Sequence, residues 1–561
     1  MGFWEKSLRI VNYLGEVGIQ SVRHIAQHTG LSKSSTHRLQ EAMKRRNGYA
    51  ESWLWETAEG RHWLGRLVVA TLYTFGLKRG VGVDTISEFF ARLHLATQVG
   101  SSPGALRSLM QVLEQTIVET GQAWEQEGTA GGDLLEIIGA VDETFLEQLL
   151  LVFLDLPSGY VLLEEAAEDR SYATWKALVD KRLEALGARV RYLVSDRAQA
   201  LIQLAEQGLE CLSIPDVFHL MHDIVKSYSL AIGRQVKRAL YELETAEARL
   251  QRPQGGNPQC AANDEATRQV EAAHAEVRRW EGIQREYRQR LETISLTLHP
   301  FRSDNSAPQT SLEVGNRVQA QVQAIEVLAH THQLPDRQKT MKKVTKQVPA
   351  LAALVDFWWA GVHQDLEQAA ISPLWRTWAQ EALLPMVYWQ HQVTRTRCAR
   401  RKTTMQQAFE GVQALFAQHT ITQCLPRQAL EDWQAWATQQ VQAFQRASSA
   451  VEGRNGSLAQ LHHNQRGLPK QRYKVWAVLH NFDGRAADGT TPAARFFRQG
   501  FPDLFETVLA HIGELPRSRQ RKRTVVLRDG IKITSRFAFT VGVPSSSTLA
   551  GGFQRRSACS A

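Results

Sequence analysis

Three acidic residues stand where carboxylates can carry out metal-assisted phosphoryl chemistry. Asp142 closes the apolar run IIGAV, Asp196 closes RYLVS, and Glu452 lies within ASSAVEGRNG. Phosphodiester hydrolysis or strand transfer needs an activated oxygen nucleophile and a stabilised leaving oxygen. Two hard cations about 3.5–4 Å apart do both at once. Mg2+ takes a few carboxylate oxygens and fills the rest of its shell with water and phosphate. Three carboxylates, one of them shared, are a sufficient protein contribution. Acidic residues after apolar strands are common strand-end caps, so neither aspartate alone carries the assignment; their joint placement does. Glu452 has competitors in Glu410 and Glu431, also on nearby helices.

The elements that must position these residues follow from the hydrophobic period. Leu134–Val141 (LLEIIGAV) is nearly continuous apolar, as a strand buried on both faces should be. Strands over Leu149–Leu156 and Tyr160–Glu164 follow, with breaks at Thr144–Glu147 and Pro157–Gly159 short enough for antiparallel hairpins. A helix over Tyr172–Leu186, a strand over Val190–Val194, a helix over Ala198–Gln207 and a strand over Cys211–Ile214 complete the unit. In a sheet of order 3-2-1-4-5 the first and fourth strands are parallel neighbours. Their C-terminal ends, bearing Asp142 and Asp196, then lie side by side where open sheets bind ligands. The third carboxylate must come from a later helix packed across the sheet.

Glu452 stands 256 positions after Asp196, far more than such a core needs, so a helical insertion over about 232–426 is expected between them. It begins with an extended helix over Phe218–Leu250, a loop at Pro253–Gly256 and a second helix over Glu265–Leu298, and it breaks again at Pro300–Thr310. Its tryptophans Trp358, Trp359, Trp375, Trp378 and Trp389 could stack on an unpaired base, although helical cores also take tryptophan. The block TRTRCARRK, Thr394–Lys402, could track a phosphate backbone or form a solvated face. His219 and His222, after the fifth strand, could sit near the active site, in a capping or packing role rather than as metal ligands, because Mg2+ prefers oxygen ligands.

The first fifty residues have the pattern of a helix-turn-helix. Trp4, Leu8, Val11 and Leu14 suit one face of a first helix. Ser21 caps a second helix to His28, Gly30 makes the turn, and Ser32 caps a third that continues to about Arg46. The small Ala26 and the inward Thr36 suit close helix crossing. Ser32, Lys33, Ser34, Ser35, His37 and Arg38 face outward, where such side chains reach phosphates and base edges in a major groove. Residues 51–128 are helical, with a weak signal for a second DNA-binding turn at Gly100, and Glu125–Asp133 (EQEGTAGGD) is a boundary.

The bulk numbers fit this division. The chain has 561 residues, 43% hydrophobic and 22% charged, an ordinary globular balance for several domains. No apolar stretch is long enough to span a bilayer, and MGFWEKSLRI lacks a signal pattern, so a cytoplasmic protein is expected. Five cysteines without a CxxC spacing argue against disulfides and structural zinc. The net charge of +9 is concentrated in 513–561, where ten Lys or Arg face only Glu514 and Asp529. That tail is a candidate polyanion contact. Within it, Thr524–Thr540 alternates around Asp529-Gly530, a hairpin signal, and the residues from Val541 have a disordered composition.

Four segments carry a resemblance: GAVDETF, LVSDRA, SSAVEGRNG…HHNQRG and NFDGRAADGTTPAARFF (Asn481–Phe497). With them, the chain from Leu134 to about Ile512 resembles bacterial insertion-sequence transposases of the DDE class. The resemblance implies an α/β ribonuclease-H-like core with a mixed five-stranded sheet, a large all-α insertion and an N-terminal all-α helix-turn-helix region. The domains would be 1–50, 51–128, 134–231, 232–426, 427–512 and the tail 513–561. It implies two Mg2+ ions, replaceable by Mn2+, on Asp142, Asp196 and Glu452, and it places Arg454 and Asn455 near donor DNA. Its partners would be double-stranded DNA, as terminal inverted repeats and target, and a second copy when DNA-bound, with no membrane and a nucleoid association. The alternative is a helix-turn-helix regulator, or a decayed transposase, that binds DNA without cutting it.

Overall fold

A computed structural model describes residues 3–132, 134–251, 260–464, 472–518, 523–526 and 532–535. It divides into two compact units, one of Met1–Gln115 with Val508–Ala561 and one of Thr116–Thr507. Among the described residues no helix is long and apolar enough to cross a membrane.

The first unit opens with α1 (Phe3–Val17), α2 (Val22–Thr29) and α3 (Lys33–Arg46). Ser21 and Ser32 are the N-caps, their hydroxyls accepting from the amides of His24 and Ser35 at 3.3 and 3.2 Å, which satisfies donors that a helix start leaves open. Gly30 closes α2 at φ 67°, a left-handed position that glycine takes without a Cβ penalty. Ile10, Ile25, Leu39 and Met43 form the core between the three helices, with Val11, Tyr13, Leu14 and Leu31 around it. Thr36 is fully buried, as expected.

Helical segments follow: a 3-10 turn over Ala50–Glu56, α4 (Ala58–Thr71), a π segment over Leu72–Leu77, α5 (Val83–Arg92) and α6 (Pro103–Thr129). A buried network ties them to α3. The guanidinium of Arg46 bonds both carboxylate oxygens of Glu56, Asn47 adds a bond of 2.9 Å to the same carboxylate, and Gln98 reaches the Arg46 carbonyl and Asn47. Gly100, the weak signal for a second turn, lies in the connection between α5 and α6. It donates to the Pro516 carbonyl, and a Cβ there would come within 2.8 Å of the Arg517 carbonyl. Glycine at this position serves a close backbone approach. The boundary expected over 125–133 is shorter, because α6 continues to Thr129. The strands β6 (Arg523–Val526) and β7 (Lys532–Ser535) pair antiparallel as the alternation predicts; the turn between them and the residues after 535 lie outside the described residues.

The second unit is built on a five-stranded mixed sheet: β1 (Leu135–Leu146), β2 (Gln148–Asp155), β3 (Val161–Ala167), β4 (Ala188–Ser195) and β5 (Leu212–Pro215). Its order is β3-β2-β1-β4-β5, with β1 parallel to β4 and β4 parallel to β5. Helices α7 (Tyr172–Leu186) and α8 (Gln199–Gln203) occupy the two connections, α8 running into a π segment that ends at Gly208. The break expected at Thr144–Glu147 shrinks to Glu147 alone, at φ 61°, because β1 keeps pairing with β2 through Leu146. At the next corner the buried Asp155 accepts from the amides of Ile138 and Ser158 and from the Ser158 hydroxyl.

After β5, α9 (Val217–Leu250) and α10 (Cys260–Thr297) lie antiparallel; Tyr287 donates to the Ile224 carbonyl and His274 faces Glu247. The loop expected at 253–256 lies outside the described residues. The helices α11 (Ser311–Thr331), α12 (Gln338–Gln368), α13 (Pro373–Trp378), α14 (Leu384–Arg395), α15 (Ala399–Gln418), α16 (Thr420–Cys424) and α17 (Arg427–Gln442) follow. Their tryptophans are core residues rather than open stacking platforms. Trp358, Trp359, Trp378 and Trp389 are buried among aromatic neighbours, and the half-buried Trp375 stacks on Trp433. The chain then returns to the sheet as α18 (Ser449–Asn464), α19 (Arg472–Asp483) and α20 (Pro492–Phe497), ahead of α21 (Leu504–His511). Within NFDGRAADGTTPAARFF, the Asn481 amide bonds both backbone groups of Val161 and so caps edge strand β3, while Arg495 binds the Ser158 carbonyl.

Candidate functional site

Asp142 lies where β1 has run past its partner. The pairing of β1 with β4 ends at Ala140–Val194, whereas the pairing with β2 continues to Leu146. Asp142 therefore stands at the C-terminal edge of the parallel pair, and Asp196 directly follows β4 on the neighbouring strand. This is the juxtaposition that the strand order predicts.

Glu452 arrives on the first turn of α18, which packs across β1 and β2. Three side chains fix that helix. Asp216, buried at the start of α9, accepts from the Ser448 amide at 3.0 Å and its hydroxyl at 2.7 Å. Arg454 makes a two-pronged bond of 2.8 and 3.0 Å to Glu164 on β3, both side chains buried. Asn455 donates to the Asp142 carboxylate at 2.8 Å. The sequence expectation set Arg454 and Asn455 against DNA. The structure turns both inward, because α18 lies against the sheet on the face that bears them.

The charges of Asp142 and Glu452 act on one another. Burial pushes the Asp142 carboxyl up to about 6, and the charge of Glu452 adds to it, against the Glu143 amide and the His219 charge. His219 bridges the pair to Asp216, with Nδ1 at 2.6 Å from Asp216 and Nε2 at 3.5 Å from Glu452. The Asp216 bond, aided by the charges of Asp216, Glu452 and Asp142, raises His219 to about 9 despite burial. Burial pushes Asp216 up as well, but bonds from His219, Ser448 and the Phe218 amide outweigh it and leave its carboxyl below the ordinary value. A raised carboxyl does not by itself mark a site: Asp155 is also held at about 6 by burial, yet it is fully bonded within its turn. At Asp142 a second, like-charged carboxylate shares the environment.

Asp196 is placed differently. Its carboxylate accepts from the Ala198 amide at 2.8 Å, and its charge acts on Glu143, which burial and Asp196 together raise. The structure thus groups Asp142, Glu452, His219, Asp216 and Asn455, and sets Asp196 beside Glu143. Among the described residues no three His, Cys, Asp or Glu side chains are grouped to hold a metal ion. The donor chemistry nonetheless suits a hard cation. Asp142 and Glu452 are hard oxygen donors linked through Asn455 on one side and His219 on the other, and the buried Asn455 Oδ1 has no hydrogen-bond partner among the described residues.

Sequence reasoning set His219 near the site but missed the role of Asp216, although its position just after β5 was a usable signal. It missed Glu143 because the neighbouring Asp142 took the assignment.

On the first unit, Ser32, Lys33, Ser34, His37 and Arg38 are exposed and Ser35 is partly so. All stand on the outer side of α3, and Arg38 contacts only the Ser34 carbonyl within its own helix. Residues 5–51 match the IclR helix-turn-helix domain. The chain carries an IclR-type helix-turn-helix. Residues 379–524, which include α18 and Glu452, match a family of unknown function (DUF6399). No curated protein and no solved structure matches the chain. The helix-turn-helix and its exposed α3 fit a DNA-binding protein.

Proposed function

We propose that this protein is a DNA transposase with a ribonuclease-H-like core, whose helix-turn-helix binds element ends and whose Asp142, Asp196 and Glu452 serve DNA cleavage and strand transfer. The observation that carries the proposal is the pairing of Asp142 with Glu452. Two carboxylates from distant parts of the chain stand near the C-terminal edge of a parallel strand pair, close enough for the charge of Glu452 to raise Asp142. A raised carboxyl with a like-charged neighbour is a signature of functional sites, and it supports the reading here.

Asp142, Glu452 and Asp196 would hold Mg2+, or Mn2+ in its place, with Asp196 turning from the Ala198 amide to join the other two. The cations would supply activation of the attacking oxygen and stabilisation of the leaving one. The chain's own residues prepare the site. Asn455 orients the Asp142 carboxylate, Asp216 fixes both the start of α18 and the His219 ring, and His219 offsets the charge of the carboxylate pair. The freed 3′-OH of one strand would then attack target DNA, with two copies of the chain pairing two ends.

The test is a joining assay. The purified full chain is incubated with Mg2+, a target plasmid and a duplex containing the DNA that flanks its coding sequence. Joined products support the transposase. Cleavage without joining would make it a nuclease, and binding without cleavage in either Mg2+ or Mn2+ would make it a DNA-binding regulator.

A further inference from the structure

The segment Thr394–Lys402 joins the end of α14 to the start of α15. It carries Arg395, Arg397, Arg400, Arg401 and Lys402, and it contains no acid from Thr394 through Met405. Among the described residues none of these five cations makes an ion pair. Four are exposed and point to no partner of opposite charge. Arg401 is half-buried and reaches inward, donating to the Ser295 hydroxyl at 2.8 Å.

There it meets a second arginine. Arg446 donates to the Leu298 carbonyl and to His299 Nε2, the latter at 2.9 Å. His299 is fully buried and bonds Tyr388 through Nδ1 at 2.6 Å. Burial holds His299 well below its usual value, and the charges of Arg446 and Arg401 push it the same way. The ring is therefore neutral, and the two guanidiniums bond neighbouring residues of one chain stretch, Ser295 and Leu298–His299, with no carboxylate paired to either among the described residues. Burial also lowers Arg446, with Arg401 adding to that effect. Like charges held together without a counter-charge are costly in a low-dielectric setting. A phosphate oxygen would relieve that cost, and guanidinium forks suit it.

The cluster is tied to the carboxylate site by the backbone. The Arg446 carbonyl accepts from the Val217 amide, one residue after Asp216, and Ser448 binds Asp216 itself. Arg446 precedes Glu452 by six residues, a separation of at most about 20 Å along the chain and so a few nucleotides of a strand.

We infer that Arg401 and Arg446 form a phosphate clamp for the DNA strand that enters the carboxylate site, with the exposed cations of 395–402 extending the track. This rests on the DNA substrate proposed above and names the element of the helical region that would hold its backbone.

The test measures the affinity of the full chain for labelled duplexes of several unrelated sequences across a salt series. Arg401→Gln is expected to weaken binding to all of them alike and to make the slope of log affinity against log salt shallower by about 0.9, as for one lost phosphate contact. Arg401→Lys should keep most of the slope. Thermal melting checks that each variant folds, and Arg401 is chosen over Arg446 because it bonds the Ser295 hydroxyl and the Cys398 thiol rather than a backbone carbonyl. An unchanged slope in a folded Arg401→Gln protein overturns the clamp, as does a loss confined to one sequence, which would mark a base contact. Inorganic phosphate at constant ionic strength should compete weakly; full competition would overturn the clamp in favour of a free-anion site. Failure of the catalytic proposal shows separately, as absence of cleavage by the unmodified chain, and leaves these binding results standing.

Discussion

α3 and α18 carry similar side chains to opposite ends. Both open on a serine, the Ser32 cap of α3 and Ser449 of α18, both present arginine or lysine beside small polar residues, and both were expected to meet DNA. On α3 the polar residues face solvent while Thr36, Leu39 and Met43 fill the core. On α18 Val451 and Leu458 are buried, but so are Arg454 and Asn455, which bond Glu164 and Asp142. The difference lies in what covers each helix. A helix with one covered face leaves its polar side free for a ligand; a helix laid on a sheet turns polar groups into fasteners, and only a residue at its rim, such as Glu452, remains available.

That contrast can be broken most sharply at Arg454. Arg454→Ala leaves Glu164 buried without its partner and is expected to destabilise the chain by roughly 3–5 kcal/mol, read by urea unfolding; a loss of DNA affinity at unchanged stability would return Arg454 to the interface. Next comes the charge pair at Asp142. The unfolded chain titrates this carboxyl near 3.9 and the folded chain near 6. Between those values the folded state binds more protons, so this contribution to stability is present below about pH 4 and lost as pH rises through about 6. Asp142→Asn should therefore be the more stable protein at about pH 7.5, by about 1–2 kcal/mol after allowing for solvent screening, and should show no such advantage at about pH 4. Melting curves at both pH values check it.

Smaller effects sharpen the other side. Ser32→Ala removes the cap of α3 and should cost about 1 kcal/mol, visible as a lower melting temperature. Lys33→Ala and Arg38→Ala should change stability by no more than about 0.5 kcal/mol. In salt-dependent DNA binding, however, each phosphate contact they make should reduce the slope by about 0.9.

Much of this architecture was legible because local signals agreed with the fold. Serine caps, Gly30 and the apolar spacing specify α1 to α3, and continuous apolar runs broken by short turns specify the strand order. The end of β1 was misjudged because antiparallel pairing with β2 carried DETFL as strand, overriding turn-like residues. Which side of α18 faces the sheet was not legible: its short pattern, AVEGRNGSL, has too few apolar residues to orient it, so long-range partners such as Glu164 decide. The same limit hid Asp216, whose role depends on Ser448 far along the chain. The approach of Pro516 to Gly100 is equally remote in sequence.

The most direct test compares the unmodified chain with Asp142→Asn for Mg2+-dependent cleavage and for binding of the same DNA. The account predicts cleavage by the unmodified chain, a loss of about 10³-fold or more in the variant, and unchanged DNA affinity through the helix-turn-helix. Equal cleavage by both proteins would contradict it.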